Sequence, residues 1–157
     1  MKRTAIFFLV WAFALMLTTA SFAMEHEKMM AGMGNTAHEE VVEGVKVTFK
    51  VLSMKELMKE MNMEMPKGVK ETHHIMVEFK DAKTGKPLTE GEVTIKVLNP
   101  DKSAQTKDLM AMKGMAGMGA GFGADLEFSQ KGKYGIMTKF KLKDGRIRSS
   151  KFWYEPK

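Results

Sequence analysis

The sequence of 157 residues contains no cysteine. This absence excludes a disulfide framework, a zinc–thiolate site, a cysteine nucleophile and a lipidated N-terminal cysteine. Leucine and isoleucine are scarce, whereas methionine occurs 17 times. Because leucine is ordinarily among the commonest residues, a flexible thioether stands at many positions where a core would hold a branched aliphatic side chain. The methionines are therefore the first candidates for functional residues.

The first 23 residues have the pattern of a secretion signal. Lys2 and Arg3 precede the uncharged apolar run Ala5–Leu17, and the small residues of Ser21–Ala23 follow it. The run is too short to span a bilayer comfortably. We predict a periplasmic or secreted protein that is cleaved near Ala23 and has no membrane span afterwards. An uncleaved membrane anchor is the alternative.

Charge and residue inventory narrow the classes of function. The net charge of +6 comes from lysines scattered along the chain, which argues against a nucleic-acid partner. No Ser-His-Asp arrangement and no paired carboxylates in a strand-end context stand out, so the chain has little equipment for acid–base or nucleophilic catalysis. We predict a binding protein and not an enzyme.

Apolar and polar residues alternate in six segments, as they do in strands with one buried face. The segments are Val45–Val51, His73–Lys80, Val93–Val97, Asp125–Phe128, Tyr134–Leu142 and Arg146–Tyr154. The pair Asp144-Gly145 predicts a tight hairpin between the last two. The pattern predicts an antiparallel β-sandwich of about six or seven strands over residues 41–157. Residues 24–40 are predicted to form a flexible tail rich in methionine and histidine.

One segment has helical periodicity. In Ser53–Met65 all the apolar residues except Met63, which lies on the opposite side, fall on one stripe of a helix, which Pro66 ends. This predicts one short methionine-rich helix, whose apolar stripe either packs on the core or binds a metal ion. If the helix frays before Pro66, Met61, Met63 and Met65 become an extended trio of thioethers.

A long loop rich in methionine and glycine is predicted over Leu109–Gly123. Its five glycines interleave with the methionines Met110, Met112, Met115 and Met118. Thioethers are neutral, soft donors that suit Cu(I) or Ag(I) and hold zinc, magnesium or calcium badly. We predict that these four side chains bind Cu(I). The alternative is that they fill gaps beneath the sandwich or form a contact surface for a partner.

The histidines add two candidate sites. Alternate residues of a strand share a face, so His74 and Met76 lie together on the outer face and can complete a mixed site with the loop methionines. A surface histidine without a role is the alternative, and His73 faces the core. After cleavage, the N-terminal amine at Met24, two amide nitrogens and the imidazole of His26 offer the square-planar set that Cu(II) prefers.

Several segments together resemble a known group of exported proteins. They are Thr72–Val77, Thr84–Leu88, Glu92–Ile95, the methionine/glycine loop and Lys131–Tyr134. In this order they resemble the YtkA-like group of immunoglobulin-like β-sandwich domains, and they are similar in style to methionine-rich periplasmic copper proteins of the CopC type. The resemblance implies an immunoglobulin-like sandwich and a periplasmic copper-handling role. The CopC-type Cu(II) site does not carry over, because it uses a histidine at the first mature residue.

We therefore predict an exported copper-binding protein that binds Cu(I), and also Cu(II), for copper buffering, resistance or delivery. Its partner would be a copper-accepting or copper-exporting envelope protein. One alternative is a non-catalytic interaction module with a flexible methionine surface. Another is an oxidant sink, since exposed methionine converts reversibly to the sulfoxide.

Overall fold

The computed structural model describes residues 35–60, 62–113 and 119–157. Within these residues there are eight strands and one short helix, and no helix is long and apolar enough to cross a bilayer. In chain order the elements are β1 (Asn35–Val42), β2 (Val45–Ser53), α1 (Met54–Glu60), β3 (His73–Asp81), β4 (Gly91–Leu98), β5 (Ala104–Met112), β6 (Gly121–Leu126), β7 (Tyr134–Leu142) and β8 (Ile147–Tyr154).

The strands form two layers that β5 joins. Paired strands are all antiparallel, and their order is β1-β2-β3-β6-β5-β4-β7-β8. The first part of β5 pairs with β4, and its last residues, Met110 to Met112, pair with β6. We call β1, β2, β3 and β6 the first layer, and β4, β7 and β8 the second layer. A strand that changes sheets in this way is a usual feature of packed β-sheets.

The core lies between the two layers. Phe49 of β2 packs on Phe152 of β8, and Phe79 of β3 packs on Phe140 of β7, with ring centroids 4.7 and 4.6 Å apart. Each pair joins strands of opposite layers, so alternate residues of both layers face one shared apolar interior. The predicted all-β antiparallel sandwich is confirmed.

The structure extends the sandwich at its N-terminal side. β1 begins at Asn35 and pairs with β2 through Val42. The predicted boundary between tail and domain is therefore wrong for residues 35–40, which belong to a strand. The rest of the predicted tail lies outside the described residues. With β1 and β5 added, the described part of the chain has eight strands and not six or seven.

The predicted methionine/glycine loop is wrong at both of its ends. β5 continues to Met112, and β6 begins at Gly121, so only the residues between them connect the strands; 114–118 lie outside the described residues. Glycine is usually unfavourable in strands. Here Phe122 holds β6 in place, because its side chain is fully buried in the core. Gly121 is required for close packing, since a Cβ there would lie 2.7 Å from the Val77 carbonyl oxygen.

The helix is shorter than predicted. α1 ends at Glu60, whereas the apolar stripe predicted a helix through Met65. Asn62 has a left-handed backbone, with φ of 52°, and such a residue commonly ends a helix. Met63 and Met65 follow it without regular structure, with 57% and 38% of their surface exposed. Met61 lies outside the described residues.

A buried tyrosine fixes the connection into β7. The Tyr134 hydroxyl accepts a hydrogen bond from the Gln130 backbone N–H and donates one to the Gln130 carbonyl, both at 2.8 Å. This tyrosine corner is a recurrent feature of immunoglobulin-like sandwiches. We expect Tyr134→Phe to lower the free energy of unfolding by about 1–3 kcal/mol, because two backbone groups lose their partner. Urea denaturation measures this.

The matched control for that substitution is Tyr154→Phe in β8. Its hydroxyl forms no hydrogen bond with the described residues, and its ring is only partly buried. The control should change stability by less than about 0.5 kcal/mol. Equal losses in the two variants would contradict the role given to the corner.

Candidate metal centre

Three neighbouring strands, β3, β6 and β5, bring candidate donors to one outer surface. β3 contributes His74 and Met76, which are themselves buried and alternate with the core residues of that strand, and the end of β5 contributes Met110 and Met112. Gly123 of β6 lies between the two strands, in register with Met76 on one side and Met110 on the other. The predicted histidine–methionine pair therefore shares a surface with two of the four predicted loop methionines.

The closest approach of two donors occurs over Gly123. A Cβ built on this glycine would lie 2.5 Å from Met112 Sδ and 2.7 Å from His74 Nε2. Both atoms thus occupy the space that a side chain would need, and both lie close to one point. Bonds from metals such as zinc to nitrogen and sulfur are about 2.0–2.3 Å long. An ion farther out from Gly123 than this Cβ position can therefore contact both atoms once the two side chains adjust.

The ring of His74 is held with one nitrogen available. His74 Nδ1 lies 2.7 Å from Asp125 Oδ1, while Nε2 is buried and has no hydrogen-bond partner among the described residues. When Nδ1–H donates to the carboxylate, Nε2 carries a free lone pair. Metal-binding histidines are commonly oriented by such a carboxylate. A buried nitrogen without a partner is costly, and a metal bond would remove that cost.

Asp125 is itself fixed by its surroundings. Lys107 Nζ donates to the Asp125 backbone carbonyl at 2.6 Å and also forms an ion pair with Glu71 at 3.2 Å. The hydrogen bond from Lys107 contributes to a lower pKa of the Glu71 carboxyl, after the hydrogen bond from the Glu71 backbone. These contacts tie β6 to β5 and to the segment before β3. The backbone that carries the Asp125 carboxylate is therefore held by hydrogen bonds.

Two further thioethers flank the His74–Met112 pair. Met76 is almost fully buried, and its Cε lies 3.1 Å from where a Cβ of Gly121 would be. Met110 has 77% of its surface exposed at the rim. Beyond Met76, the buried Glu78 accepts a hydrogen bond from Lys50 Nζ at 2.6 Å. One thioether is thus below the surface and another beside it, within the same row of strands.

The chemistry of this donor set is soft and neutral. Imidazole and thioether ligands suit copper, whereas carboxylates and carbonyls suit magnesium, calcium and manganese. In the described ranges, no three histidine or acidic side chains come together in a way that would hold a metal ion. The arrangement around Gly123 fits copper better than it fits a hard cation.

Other predicted site residues are not brought to this surface. Met63 and Met65 lie exposed in the segment after α1. His73 points to the other side of β3, where its ring packs on Phe128 with centroids 5.2 Å apart, and burial lowers its pKa. Five predicted ligands lie outside the described residues: Met24, His26, Met61, Met115 and Met118.

Sequence reasoning missed the two residues that organise the pair. Gly123 provides the space, and Asp125 orients the imidazole. The alternation Gly121-x-Gly123-x-Asp125 is the pattern that contained this information, because residues two apart in a strand share a face. This pattern was overlooked because the glycines were interpreted as part of a loop and not of a strand.

The fold is shared with several solved structures. FetP from uropathogenic Escherichia coli, expressed in the periplasm, is 12% identical with a TM-score of 0.58, over 77% of this chain and 93% of that one. A DUF4426 family protein from Pseudomonas aeruginosa is 17% identical with a TM-score of 0.60, over 76% and 96%. A copper-bound variant of P19 from Campylobacter jejuni is 15% identical with a TM-score of 0.52, over 77% and 98%.

These likenesses establish the fold. They agree with the predicted resemblance to exported copper-protein sandwiches, since a FetP variant and P19 variants have been solved with copper bound. No family model and no curated protein matches the sequence.

Proposed function

We propose that this protein is an exported copper-binding protein that holds Cu(I) between the imidazole of His74 and the thioether of Met112. Met76 and Met110 are the additional thioether candidates beside them. The observation that carries the proposal is the buried Nε2 of His74, which has no hydrogen-bond partner in the described part of the chain and lies next to Met112 Sδ over a glycine. Neutral nitrogen and sulfur donors are the ligands that Cu(I) accepts and that hard cations do not.

The comparisons support the same metal. Proteins of this fold have been solved with copper bound, and export is supported by the signal pattern of residues 1–23. In this proposal copper is bound as cargo, and no catalytic step is assigned to it. The role is buffering, resistance or delivery, with a copper-accepting or copper-exporting envelope protein as the partner.

Two further ligand groups belong to the proposal from sequence alone. The N-terminal set of Met24 and His26 would hold Cu(II) after cleavage at Ala23, and Met61, Met115 and Met118 would add thioethers for Cu(I). A mature N-terminus other than Met24, determined by mass spectrometry, would remove the Cu(II) site.

A second candidate function is a contact surface for a partner protein. It is favoured by the exposure of Met63, Met65 and Met110, since flexible methionine surfaces adapt to varied partners. Such a surface tolerates Met→Leu substitutions, whereas a thioether site does not. The response of copper affinity to Met→Leu therefore separates the two functions.

The test is an anaerobic competition titration of residues 24–157 with Cu(I) and a chromogenic chelator. All described strands and the core lie within this part of the chain. We expect Met112→Leu to weaken Cu(I) binding at least about tenfold, or ~1.4 kcal/mol, because leucine keeps the bulk and removes the sulfur. The matched control is Met137→Leu in β7 of the second layer, which should bind as the unsubstituted protein does.

Two results would overturn the proposal. One is a failure of the unsubstituted protein to compete with the chelator. The other is equal affinity in Met112→Leu and Met137→Leu, which would move the search to a protein partner or to the N-terminal segment.

A further inference from the structure

The outer face of the second layer gathers lysines that are far apart in the sequence. Lys96 of β4, Lys139 and Lys141 of β7, and Lys151 of β8 are all exposed and all alternate with buried residues. In the register, Lys96 and Lys151 flank Met137 from either side. Lys139 is the next outward residue of β7, so it lies diagonally beside both. Neighbouring strands are about 4.7–4.9 Å apart, which places the four ammonium groups in one compact patch.

These four lysines have no acidic partner among the described residues. Other lysines do: Lys46, Lys50, Lys107 and Lys143 each lie between 2.6 and 3.3 Å from a carboxylate. Two acidic residues, Glu92 and Asp108, share the outer face at its β4–β5 side. Asp108 accepts a hydrogen bond from Thr94 at 2.7 Å, and Glu92 stands opposite Lys141 in the register without forming an ion pair within the described ranges. The patch therefore keeps a net positive charge whose self-repulsion opposes folding.

An exposed tryptophan lies at one end of this patch. Trp153 of β8 is 60% exposed and extends across Gly135 of β7, where a Cβ would meet its ring at 3.2 Å. Leu98 of β4 lies next to the same glycine. Ile147, 61% exposed, stands at the opposite end of β8. The face thus combines a cationic centre with an amphipathic ring and an aliphatic side chain, all on three hydrogen-bonded strands.

We propose that this surface, formed by Lys96, Lys139, Lys141, Lys151 and Trp153 and called here the lysine face, binds the anionic surface of a phospholipid bilayer. Lysines near an anionic leaflet are attracted to its headgroups. Tryptophan is favoured at the boundary between headgroups and hydrocarbon, because one edge of its ring is polar and the rest apolar. A soluble polyanion without aromatic groups, such as polyphosphate, would use the lysines but would gain nothing from the exposed ring.

The lysine face and the candidate metal centre point in different directions. The centre lies on the outer surface of β3, β6 and β5, whereas the lysine face lies on the outer surface of β4, β7 and β8 across the core. A protein docked on a membrane through the lysine face would keep the His74–Met112 side of the sandwich turned away from the bilayer. The proposal does not depend on copper.

The test is sedimentation of residues 24–157 with vesicles of phosphatidylglycerol and phosphatidylcholine, beside vesicles of phosphatidylcholine alone. Residues 1–23 are left out because the apolar run Ala5–Leu17 would bind membranes by itself. Their removal also leaves Trp153 as the only tryptophan of the chain. We expect binding only to the anionic vesicles, with a shift of the tryptophan emission to shorter wavelength and a loss of binding in high salt.

Charge-matched variants locate the binding surface. Changing Lys96, Lys139, Lys141 and Lys151 to glutamine should weaken partitioning by about a hundredfold or more, at roughly fivefold per lysine. The control changes Lys55, Lys67, Lys83 and Lys86 to glutamine, which removes the same charge from exposed positions elsewhere. The control should lose less than about fivefold.

Three outcomes would overturn the proposal. They are an absence of binding to anionic vesicles at low salt, equal losses in the two quadruple variants, and binding without any change in Trp153 emission. Soluble polyphosphate that binds as tightly as the vesicles do would assign the face to a soluble polyanion. Since none of these vesicle experiments contains copper, a negative result in them does not bear on the copper titration.

Discussion

Replacing Gly123 with alanine should weaken Cu(I) binding by about a hundredfold or more, or ~2.7 kcal/mol, while leaving the fold intact. The added methyl carbon would lie 2.5 Å from Met112 Sδ and 2.7 Å from His74 Nε2, well inside ordinary contact distances. Both side chains must then move away from the strand, and they move apart from each other. A single methyl group therefore displaces both proposed ligands at once.

The stability of the variant should fall by about 1–3 kcal/mol, the usual cost of overpacking, which leaves the sandwich folded. The atoms that the methyl meets are the ends of two side chains and not backbone, so β6 itself keeps its place, but the buried His74 ring must shift against its hydrogen bond to Asp125. Competition titration measures the affinity, and urea denaturation measures the stability. The control is Gly119→Ala, whose methyl would first meet the Glu78 carboxylate, with the nearest oxygen at 3.3 Å. Unchanged Cu(I) affinity in Gly123→Ala would contradict the placement of the metal.

Much of the sandwich follows from local alternation. Residues 45–51 of β2 and 73–80 of β3 were predicted within a few residues of their observed bounds, because one face of each strand is apolar and lies in the core. The prediction of an exposed second face is wrong for β3, where His74, Met76 and Glu78 are also buried. The Asp144-Gly145 hairpin also appears where it was predicted: Gly145 has φ of 73°, and the Asp144 carboxylate accepts the Arg146 N–H at 3.1 Å. Such signals are local, so they need no knowledge of neighbouring strands.

The strands around the candidate centre were not predictable in this way. β5 is mostly exposed, and Leu109 is its one buried side chain, so it lacks a clear alternation. β6 carries glycines where its partner strands come close, and Phe122 anchors it to the core. In both cases tertiary packing outweighs a weak local preference for strand. The hydrogen bond between Asp125 and His74 was missed for the same reason. The two residues are 51 positions apart in the sequence, so only the pairing of their strands brings them together.

The clustering of surface charges was likewise not predictable from local sequence patterns. The lysines appear scattered along the sequence, which argued against a nucleic-acid partner. Lys96, Lys139 and Lys151 come from three different strands and meet only through the register of β4, β7 and β8. Alternation predicts that each faces outward, but it does not say which strands are neighbours.

Phe122→Ala should lower the free energy of unfolding by about 3–5 kcal/mol, the usual cost of removing a buried aromatic ring from a core. The ring is fully buried and packs edge-on against Phe79, with centroids 5.6 Å apart. Its neighbours in β6 are Ala124 and two glycines, which offer little apolar surface to replace it. Urea denaturation measures the loss, with Met110→Ala on the adjacent strand as the exposed control, expected to cost less than about 0.5 kcal/mol.

The position of Phe122 gives this substitution a second consequence. Gly121 and Gly123 face outward on either side of the one large side chain that holds this part of β6 against the core. If the strand loosens, Gly123 no longer fixes the distance between Met112 and His74, so Cu(I) affinity should fall together with stability. Tight copper binding in Phe122→Ala despite the full stability loss would show that β3 and β5 alone hold the two donors, and that β6 contributes only space. A loss of stability below about 1.5 kcal/mol would instead show that the core closes over the missing ring.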